Sequence, residues 1–564
     1  MAGMLWLSIM PMLMAEGTRQ VAPSASDAPV MLETNNPLFG SFAAYNSLPQ
    51  SRLYFTIGNL NEKVFLGLAL EYTDDGVPFA GSFSGQYSFR IRYDNGSDNP
   101  IVHGPFVVNN TNANVTGWAD ALFGAYPVTA TQSGQLMFQF QPTALGNYFI
   151  EITDGAAFDG NAKVNIPFWD ITVANNNVPI NGRVWSRNWA FRTPRISPEA
   201  LPDCEWNRTF NGALYSYTTD GFVSRIDFEN AGMQGLSFNV TFNNKGPGIS
   251  GNLTEDRKSI PDANATVNSA EHQVFLSEPD INLFPSGLCG ELDTPATFTC
   301  LSQDSYCLEV SVTKPGQVEV ILDFNQNGIL DADSEDVNLV YEFTNSNLAA
   351  CIPWDGLRGD GTPIEPGDTI DIIFFYSQGI QHWSAYDVEY MRNGFCVETI
   401  RPICEPNFSS NLLYWDDRNI VDDPGTGATK DGRNGCECED NCRNWDNFDI
   451  NSDSCTNFND DNTTGYGDKN TLNTWWFANT STFTRLNIPL VDAVLEGPDQ
   501  ICEGETATFT AVSSSGNGQV TFAWTSQMGS PPPLPPFKLR RRESIVFLLK
   551  MCWDVLPTYA KHSR

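Results

Sequence analysis

The chain has 564 residues, of which 41% are apolar and 12% aromatic, and its formal net charge of −35 comes from 67 acidic and 32 basic side chains. This length suffices for several domains of about 100–200 residues, and the apolar content suffices for their hydrophobic cores. The strong negative charge argues against nucleic acid or an anionic membrane surface as a partner of the whole chain, and it suits solubility outside the cell and binding of divalent cations.

The N-terminus carries an apolar run, "MLWLSIMPMLMA", before a polar stretch rich in Ser and Pro. The run has the length of a signal-peptide core and is too short to cross a bilayer. No basic residue precedes it, so the signal is imperfect, and a true start upstream of the given sequence is an alternative. We predict a signal peptide over residues 1–15, a flexible mature segment over residues 16–32, and no integral membrane span.

Short runs that alternate apolar and polar residues dominate the next part of the chain. Examples are "YSFRIRY" (87–93), "NYFIEIT" (147–153) and "LSFNVTFN" (236–243), and turn-forming Gly, Asn and Asp residues separate such runs. Sustained helical periodicity is absent from these runs. The pattern predicts an antiparallel β-sandwich or jelly roll over residues 33–180 and a second β-sandwich over residues 181–285.

A third module, predicted over residues 286–400, contains the stretch "VEVILDFNQNGILDADSED". Its first half alternates like a strand, and its second half places oxygen-bearing side chains near the positions that a calcium loop uses, with Gly328 at the sixth position. The candidate calcium ligands are Asp323, Asn325, Asn327, Asp331 and Glu335. The closing carboxylate is out of register, and no helix flanks the loop. The alternative interpretation is an Asn-Gly hairpin turn with solvated acids.

A second oxygen-rich cluster lies in "DINSDSCTNFND". Its side chains have the spacing of a calcium loop, although Ser stands where that loop has Gly. The weaker candidate ligands are Asp449, Asn451, Asp453, Asn457 and Asp460. An acidic loop closed by a disulfide is the favoured alternative.

The chain has 13 cysteines, none of them before residue 204. Cys436, Cys438 and Cys442 are spaced so that they could hold zinc, but no His lies nearby, so disulfide bonds are the preferred interpretation. The pairing cannot be read from the sequence. The segment 401–490 is rich in Cys, Asp and Asn, and we predict a loop-dominated region in which disulfides or ions replace a hydrophobic core.

The C-terminal part reads as an incomplete module followed by a tail of different composition. Residues 493–529 contain two alternating strands and a Trp, as at the start of an immunoglobulin-like (Ig-like) sandwich. Residues 530–564 are Pro-rich and carry seven basic and two acidic side chains. We expect this tail to be non-native or disordered; a genuine basic tail that contacts a membrane or a partner is the alternative.

Catalytic signatures are not recognised in the sequence: it has no HExxH, GxSxG or phosphate-binding motif. His382 is the only His beside several aromatic and acidic residues, and a structural His is the favoured interpretation. The tripeptide Arg358-Gly359-Asp360 is of a kind that can bind integrins, but three residues match often by chance. We therefore predict no enzyme activity.

Several blocks together resemble the large secreted surface proteins of gliding Bacteroidetes, which the type IX system exports. The blocks include "INGRVWSRNWAF" (180–191), "YSYTTDGFVSRIDFENAGMQGLSFNV" (215–240) and "IPWDGLRGDGTPIEPGDTI" (352–370). The stretch "ICEGETATFTA" (501–511) is similar to the opening of a PKD-like or Ig-like repeat. The resemblance implies export, surface display and a role in adhesion or gliding motility.

The sequence thus predicts a mainly β, extracellular or cell-surface protein of structural or adhesive function, with sandwich modules in series and Ca²⁺ as a cofactor. Its expected partners are extracellular surfaces or glycans and other cell-surface proteins. One alternative is a carbohydrate-binding protein that exposes Trp185 and Trp189 as a flat aromatic strip. The other alternative is a secreted hydrolase with an unrecognised catalytic domain.

Overall fold

Antiparallel β-sheets make up most of the computed structural model of the chain, which confirms the predicted mainly β fold with several sandwich-type sheets. The structure describes residues 16–25, 29–36, 38–74, 81–123, 136–155, 158, 160, 163–176, 178–193, 210–228, 233, 235–262, 270–293, 297–302, 305–331, 335–365, 368–388, 391, 393–404, 412–425, 427–437, 442–445, 466–480, 484–489, 493–496, 509–513, 521–522, 537–538 and 544–545. The predicted signal peptide, and most of the predicted C-terminal module and tail, lie outside these residues.

The strands up to residue 275 are β1 (Glu16–Gly17), β2 (Met31–Glu33), β3 (Asn35–Asn36), β4 (Gly40–Ser41), β5 (Leu53–Ile57), β6 (Glu62–Leu68), β7 (Glu71–Asp74), β8 (Gly81–Gly85), β9 (Tyr87–Tyr93), β10 (Ile101–Val108), β11 (Gln139–Phe140), β12 (Gly146–Asp154), β13 (Asn165–Ile166), β14 (Trp169–Asn175), β15 (Val178–Ile180), β16 (Val184–Ser186), β17 (Asn188–Arg192), β18 (Ala213–Tyr217), β19 (Val223–Asp227), β20 (Ser237–Asn243) and β21 (Gln273–Phe275).

The later strands are β22 (Thr297–Ser302), β23 (Ser305–Ser311), β24 (Gly316–Asp323), β25 (Val337–Phe343), β26 (Ala349–Trp354), β27 (Thr369–Ala385), β28 (Cys396–Arg401), β29 (Leu412–Leu413), β30 (Cys436–Glu437), β31 (Leu472–Thr480), β32 (Thr484–Pro489), β33 (Ala493–Glu496), β34 (Phe509–Ser513), β35 (Thr521–Phe522), β36 (Phe537–Lys538) and β37 (Ser544–Ile545). The helices are α1 (Thr18–Val21), α2 (Trp118–Phe123), α3 (Leu253–Asp256) and α4 (Tyr466–Lys469), and two 3₁₀ turns span Pro49–Ser51 and Leu136–Phe138. Within the described residues, no helix has the length and apolar character needed to cross a lipid bilayer.

The chain divides into two compact units, each built from two separate stretches. The first unit comprises residues 1–289 and 378–480, and the second comprises residues 290–377 and 481–564. Both units draw on β27, because Thr369–Ser377 falls in the second unit and Gln378–Ala385 falls in the first.

Strands that the sequence assigned to separate modules share one sheet of the first unit. This sheet has the order β10-β9-β12-β5-β16-β21-β18-β19-β28. The pair β5–β16 joins the predicted 33–180 and 181–285 modules, and it places the rings of Tyr54 and Trp185 in a stack with centroids 4.3 Å apart. The boundary predicted near residue 180 therefore does not separate two independent sheets. Alternation identifies a strand but not its partner, which explains the difference.

Residues 16–32, predicted to be flexible, are instead largely buried in the first unit where they are described. β1 pairs with β14, and the Thr18 hydroxyl accepts a hydrogen bond from the backbone N–H of Trp169 at 2.8 Å. The carboxylate of Glu16, which is 1% exposed, accepts hydrogen bonds from the backbone N–H groups of Gly182, Arg183 and Val184. Burial raises the pKa of Glu16 to about 8, although these donors oppose the shift. Contacts far along the chain thus order a segment of polar composition.

The described part of the segment 401–490 has a well-packed interior. The indole rings of Trp415, Trp445 and Trp475 are each at most 2% exposed. The Arg443 guanidinium lies 5.1 Å from the rings of both Trp415 and Trp445, and it pairs with the buried Asp417 carboxylate at 2.5 Å. Aromatic packing around the guanidinium and a disulfide therefore stabilise this part of the first unit, and Asp417 compensates the buried charge of Arg443.

Disulfide bonding is confirmed by three pairs that lie wholly within the described residues. These are Cys289–Cys404, Cys307–Cys351 and Cys436–Cys442. The last pair involves two of the three cysteines that had the spacing of a zinc site. The described cysteines of that motif are therefore joined to each other, as the preferred interpretation expected.

The second unit contains a sandwich of unequal sheets. One sheet has the order β22-β23-β26, and the other has β25-β24-β27-β32, where β27 contributes its first half. Apolar side chains of β23, β24, β26 and β27 form a continuous buried core between the two sheets. The loops 324–336 and 355–368 connect the ends of these strands.

His382 is a buried, neutral histidine of the first unit. It is 1% exposed, its Nδ1 lies 3.0 Å from the Asn473 amide nitrogen, and its ring stacks on Trp475. Burial lowers the pKa of His382 well below its usual value, and the nearby Arg257 charge acts in the same direction. This environment matches the structural histidine that was the favoured interpretation of the sequence.

This histidine predicts a pH dependence of stability. Below about pH 6.5 the unfolded chain binds a proton at His382 that the folded chain does not, so the contribution of His382 to the free energy of unfolding should fall by up to about 1.4 kcal/mol per pH unit, opposite in sign to the contribution of Glu16. Replacing His382→Gln keeps a hydrogen-bond acceptor and should remove this contribution, so that stability falls less, or rises more, between pH 7 and 5.5 than in the unaltered chain. Urea unfolding at several pH values measures this effect, and an unchanged slope in the variant would contradict it.

Candidate functional site

Two neighbouring loops of the second unit form the candidate functional site. The calcium-like loop (residues 324–336) connects β24 to β25, and the WDG loop (residues 355–368) connects β26 to β27. Residues 332–334 and 366–367 lie outside the described part. Both loops leave strands of the buried core, so their ends are held in place by the sandwich.

Asp323, the last residue of β24, organises the first turns of the calcium-like loop. Its side chain is fully buried, and its two oxygens accept hydrogen bonds from the backbone N–H groups of Gln326 at 2.6 Å and Gly328 at 2.7 Å. Gly328 has a φ of +85°, a conformation that costs glycine little and other residues much. The turn therefore requires the Asp at the first position as a hydrogen-bond acceptor and the Gly at the sixth position for its positive φ.

The side chains at the third, fifth and ninth positions converge on one another. The amide nitrogens of Asn325 and Asn327 both donate to one carboxylate oxygen of Asp331, the second of them at 2.8 Å. The amide oxygens of Asn325 and Asn327 accept backbone N–H bonds from residues two positions later in the loop. The predicted ligands are therefore brought together, with the amide groups turned toward Asp331 by their nitrogens.

The carboxylate that reaches back to the loop belongs to Asp336 rather than to Glu335. One Asp336 oxygen accepts from the backbone N–H of Phe324 at 3.0 Å, and the other accepts from that of Asp331 at 3.1 Å. The last pair of the β24–β25 ladder, Leu322↔Val337, explains this, because Asp323 follows Leu322 and Asp336 precedes Val337. Asp336 was not among the predicted ligands, and only the strand register could have revealed it.

The donor chemistry of the calcium-like loop fits Ca²⁺. Asp323, Asp331 and Asp336 supply carboxylate oxygens, and Asn325 and Asn327 supply amide oxygens, which are ligands that calcium prefers. Among the described residues, no three His, Cys, Asp or Glu side chains are arranged to hold a metal ion by themselves. Coordination here would need amide or backbone oxygens, as in other calcium loops, with the two Asn amide groups rotated.

Arg358 ties the WDG loop to the calcium-like loop. Its guanidinium forms ion pairs with Glu335 and, at 2.5 Å, with Asp368, and it lies 5.1 Å from the centre of the Phe324 ring. The backbone N–H of Gly359 also donates to the Glu335 carbonyl at 2.7 Å. Burial alone would lower the pKa of Arg358, but the hydrogen bonds and charges of Asp368 and Glu335 raise it above the usual value. The Arg358 charge is thus neutralised within the unit.

A cavity of about 550 Å³ opens beside the WDG loop. Its apolar wall comes from Val337 and Leu339 of β25 and from Pro353, Trp354 and Leu357. The Trp354 indole N–H donates to the Leu357 carbonyl at 2.8 Å, which fixes the ring at the base of the loop. Cavities of this size commonly accommodate one or two large side chains or a small ligand.

The other candidate residues fall into three groups. The weaker calcium cluster, residues 449–460, lies outside the described residues. In the Arg358-Gly359-Asp360 tripeptide, Arg358 is held by two carboxylates, so its cation is not presented to a partner. Trp185 and Trp189 are at most 3% exposed, so they cannot form the flat aromatic strip expected of a carbohydrate-binding surface.

Comparison of the chain with protein-family models, with curated proteins and with solved structures finds no match.

Removing the Arg358 side chain should weaken the second unit. We expect Arg358→Ala to lower the free energy of unfolding by about 1–2 kcal/mol, because two ion pairs and the contact with Phe324 are lost together. Denaturation monitored by hydrogen exchange of β25 and β27 peptides measures the effect locally.

Lys258→Ala is the matched control, because Lys258 pairs with Glu255 on the surface of the first unit. Such a pair contributes less than about 0.5 kcal/mol. Equal effects of the two substitutions would show that Arg358 does not hold the two loops together.

Proposed function

We propose that the chain is a secreted or cell-surface protein of structural or adhesive function, built from disulfide-containing β-sandwich modules. The observation that supports this best is the set of disulfides in both units, because such bonds form and persist in oxidising compartments. The charge of −35 agrees with a soluble protein exposed to the medium. The resemblance to surface proteins of gliding bacteria adds attachment or gliding motility as the specific role.

The location can be tested on protein from its native cells. We expect brief protease treatment of intact cells to cleave the chain, and peptide mapping without reductant to recover the linked pairs Cys289–Cys404 and Cys307–Cys351. A cytoplasmic marker protein serves as the control for lysis. Recovery of the intact chain from the cytoplasm with free thiols at these four positions would rule out the proposal.

The adhesive role has a separate test. Deleting the gene should reduce attachment of cells to a surface under flow, and spreading where the cells glide, without changing the growth rate. Unchanged attachment and spreading in the deletion strain would leave a purely structural role, with the location decided by the mapping experiment.

We further propose that the calcium-like loop binds one Ca²⁺ ion and that this binding stabilises the second unit. The proposal is supported by the oxygen-rich side chains gathered on the loop and by two buried carboxylates at its ends, Asp323 and Asp336, which both point to backbone N–H groups of the loop. A bound cation would offset the repulsion among the loop carboxylates. The residues that would hold it are Asp323, Asn325, Asn327, Asp331 and Asp336.

Calcium should therefore raise the thermal stability of the second unit. At a free concentration 100 times the dissociation constant, a ligand specific for the folded state stabilises by about 2.7 kcal/mol. We expect EDTA to remove this gain, and Asp331→Ala or Asn327→Ala to abolish the difference between calcium and EDTA. Scanning calorimetry in the two buffers measures that difference.

The readout is the difference between buffers for each variant, because Asp331→Ala also removes the hydrogen bonds from the Asn325 and Asn327 amides without any metal. Asp360→Asn is the matched control, since Asp360 is an exposed acid of the WDG loop that accepts its hydrogen bonds from Thr362. If the melting temperature of the unaltered chain is the same in calcium and in EDTA, the proposed calcium binding is wrong.

A further inference from the structure

The strand β25 forms an edge of the larger sheet of the second unit. Among the described strands it pairs only with β24, and the pairing continues without a register shift from Gly316↔Phe343 to Leu322↔Val337. Its sequence, "VNLVYEF", contains no Lys and no Pro. Natural sheets commonly protect edge strands with lysine, proline or bulges, because an open edge can pair with another chain. These protective features are absent from β25.

The apolar face of β25 continues beyond the buried core and lines the cavity. Val337 and Leu339 lie opposite Leu322 and Val320, so all four side chains point to the same face of the sheet. Leu322 and Val320 are fully buried, whereas Val337 and Leu339 are only partly buried and line the cavity of about 550 Å³. The edge strand and the cavity therefore form one continuous surface.

The charge around this surface selects the kind of occupant. Asp355 lines the cavity, Asp360 and Glu365 of the same loop are exposed, and the single basic residue of the WDG loop is Arg358. Because Arg358 is already paired with Glu335 and Asp368, it does not offer a site for an anion. The acidic rim favours a cationic occupant, and it disfavours a second copy of this chain, which would bring the same negative charge to the same edge.

We propose that β25 and the adjoining cavity bind an extended segment of a partner protein in which apolar and basic side chains alternate. Such a segment adds a strand to the sheet through backbone hydrogen bonds, places an apolar side chain in the cavity beside Leu339 and Leu357, and directs basic side chains to the acidic rim. This inference gives the proposed adhesive role a partner chemistry. It rests on the strand edge, the cavity and the charge, and it does not depend on calcium binding.

The test uses the full chain and a fluorescent eight-residue peptide in which lysine and valine alternate. Fluorescence anisotropy should show saturable binding. A peptide with glutamate in place of lysine should not bind, because of the acidic rim. A block peptide, with four lysines followed by four valines, should bind at least about tenfold more weakly, because only the alternating pattern can pair and fill the cavity together.

A substitution at the cavity separates specific docking from general attraction to an acidic protein. Leu357, which is 39% exposed, lines the cavity, and Leu357→Arg should weaken binding of the alternating peptide at least about tenfold. Val178→Arg makes the same change of charge at a 64% exposed residue of the first unit, and it should leave binding nearly unchanged. Both side chains are exposed enough for the variants to fold, which circular dichroism checks.

Equal binding of the alternating and block peptides, or equal effects of the two arginine substitutions, would overturn the proposal. Failure of the alternating peptide to bind would also overturn it, and the protease and attachment experiments would still decide the proposed function. A dimer that forms with rising concentration in sedimentation experiments and is lost in Leu357→Arg would assign the edge to a second copy, against the proposed partner.

Discussion

The structure depends on the compensation of buried carboxylates in a chain that carries a charge of −35. Transfer of a charge into the interior is unfavourable unless hydrogen bonds or an opposite charge replace the water it loses. The interior carboxylates follow this rule in different ways: Asp417 pairs with Arg443, Glu62 pairs with Arg183, and Asp323 accepts backbone N–H groups. Loss of one partner leaves an uncompensated charge, which costs about 3–5 kcal/mol for an ion pair. These contacts therefore select one arrangement of the chain.

The strands could be predicted from the sequence, because their formation depends on residues close together in the chain. Alternation of apolar and polar side chains identified strands such as β9 and β12, since each sheet face is decided within a few residues. The order of residues 16–22 depends on Trp169 and Arg183, and the interior of the 401–490 segment depends on Arg443 and its aromatic neighbours. Partners more than 100 residues away leave no local pattern, so the sequence does not reveal the order of the first segment or the sheet that two predicted modules share.

The candidate site also has a part that local sequence predicts and a part that depends on contacts between distant residues. The residues Asp323, Asn325, Asn327 and Gly328 form a local motif whose turn geometry follows from their spacing, so the sequence sufficed to identify them. The position of Asp336 follows from the register of β24 with β25, and the role of Arg358 follows from the approach of a second loop. Without the register, Glu335 was the more plausible ligand because it is nearer to the expected twelfth position; in the structure its side chain serves Arg358 instead.

The exposed edge in the second unit has a geometric origin. A four-stranded sheet packs on a three-stranded sheet, and the apolar residues of β25 lie at the margin of the common core. Their partners on β24 are covered completely, whereas Val337 and Leu339 are covered only in part. Polar residues in place of Val337 and Leu339 would remove this apolar surface. A fourth strand in the smaller sheet would cover it. Neither is found among the described strands, so the apolar surface stays partly exposed. Because the Arg358 charge is neutralised, the acidic side chains around this surface favour a cationic partner.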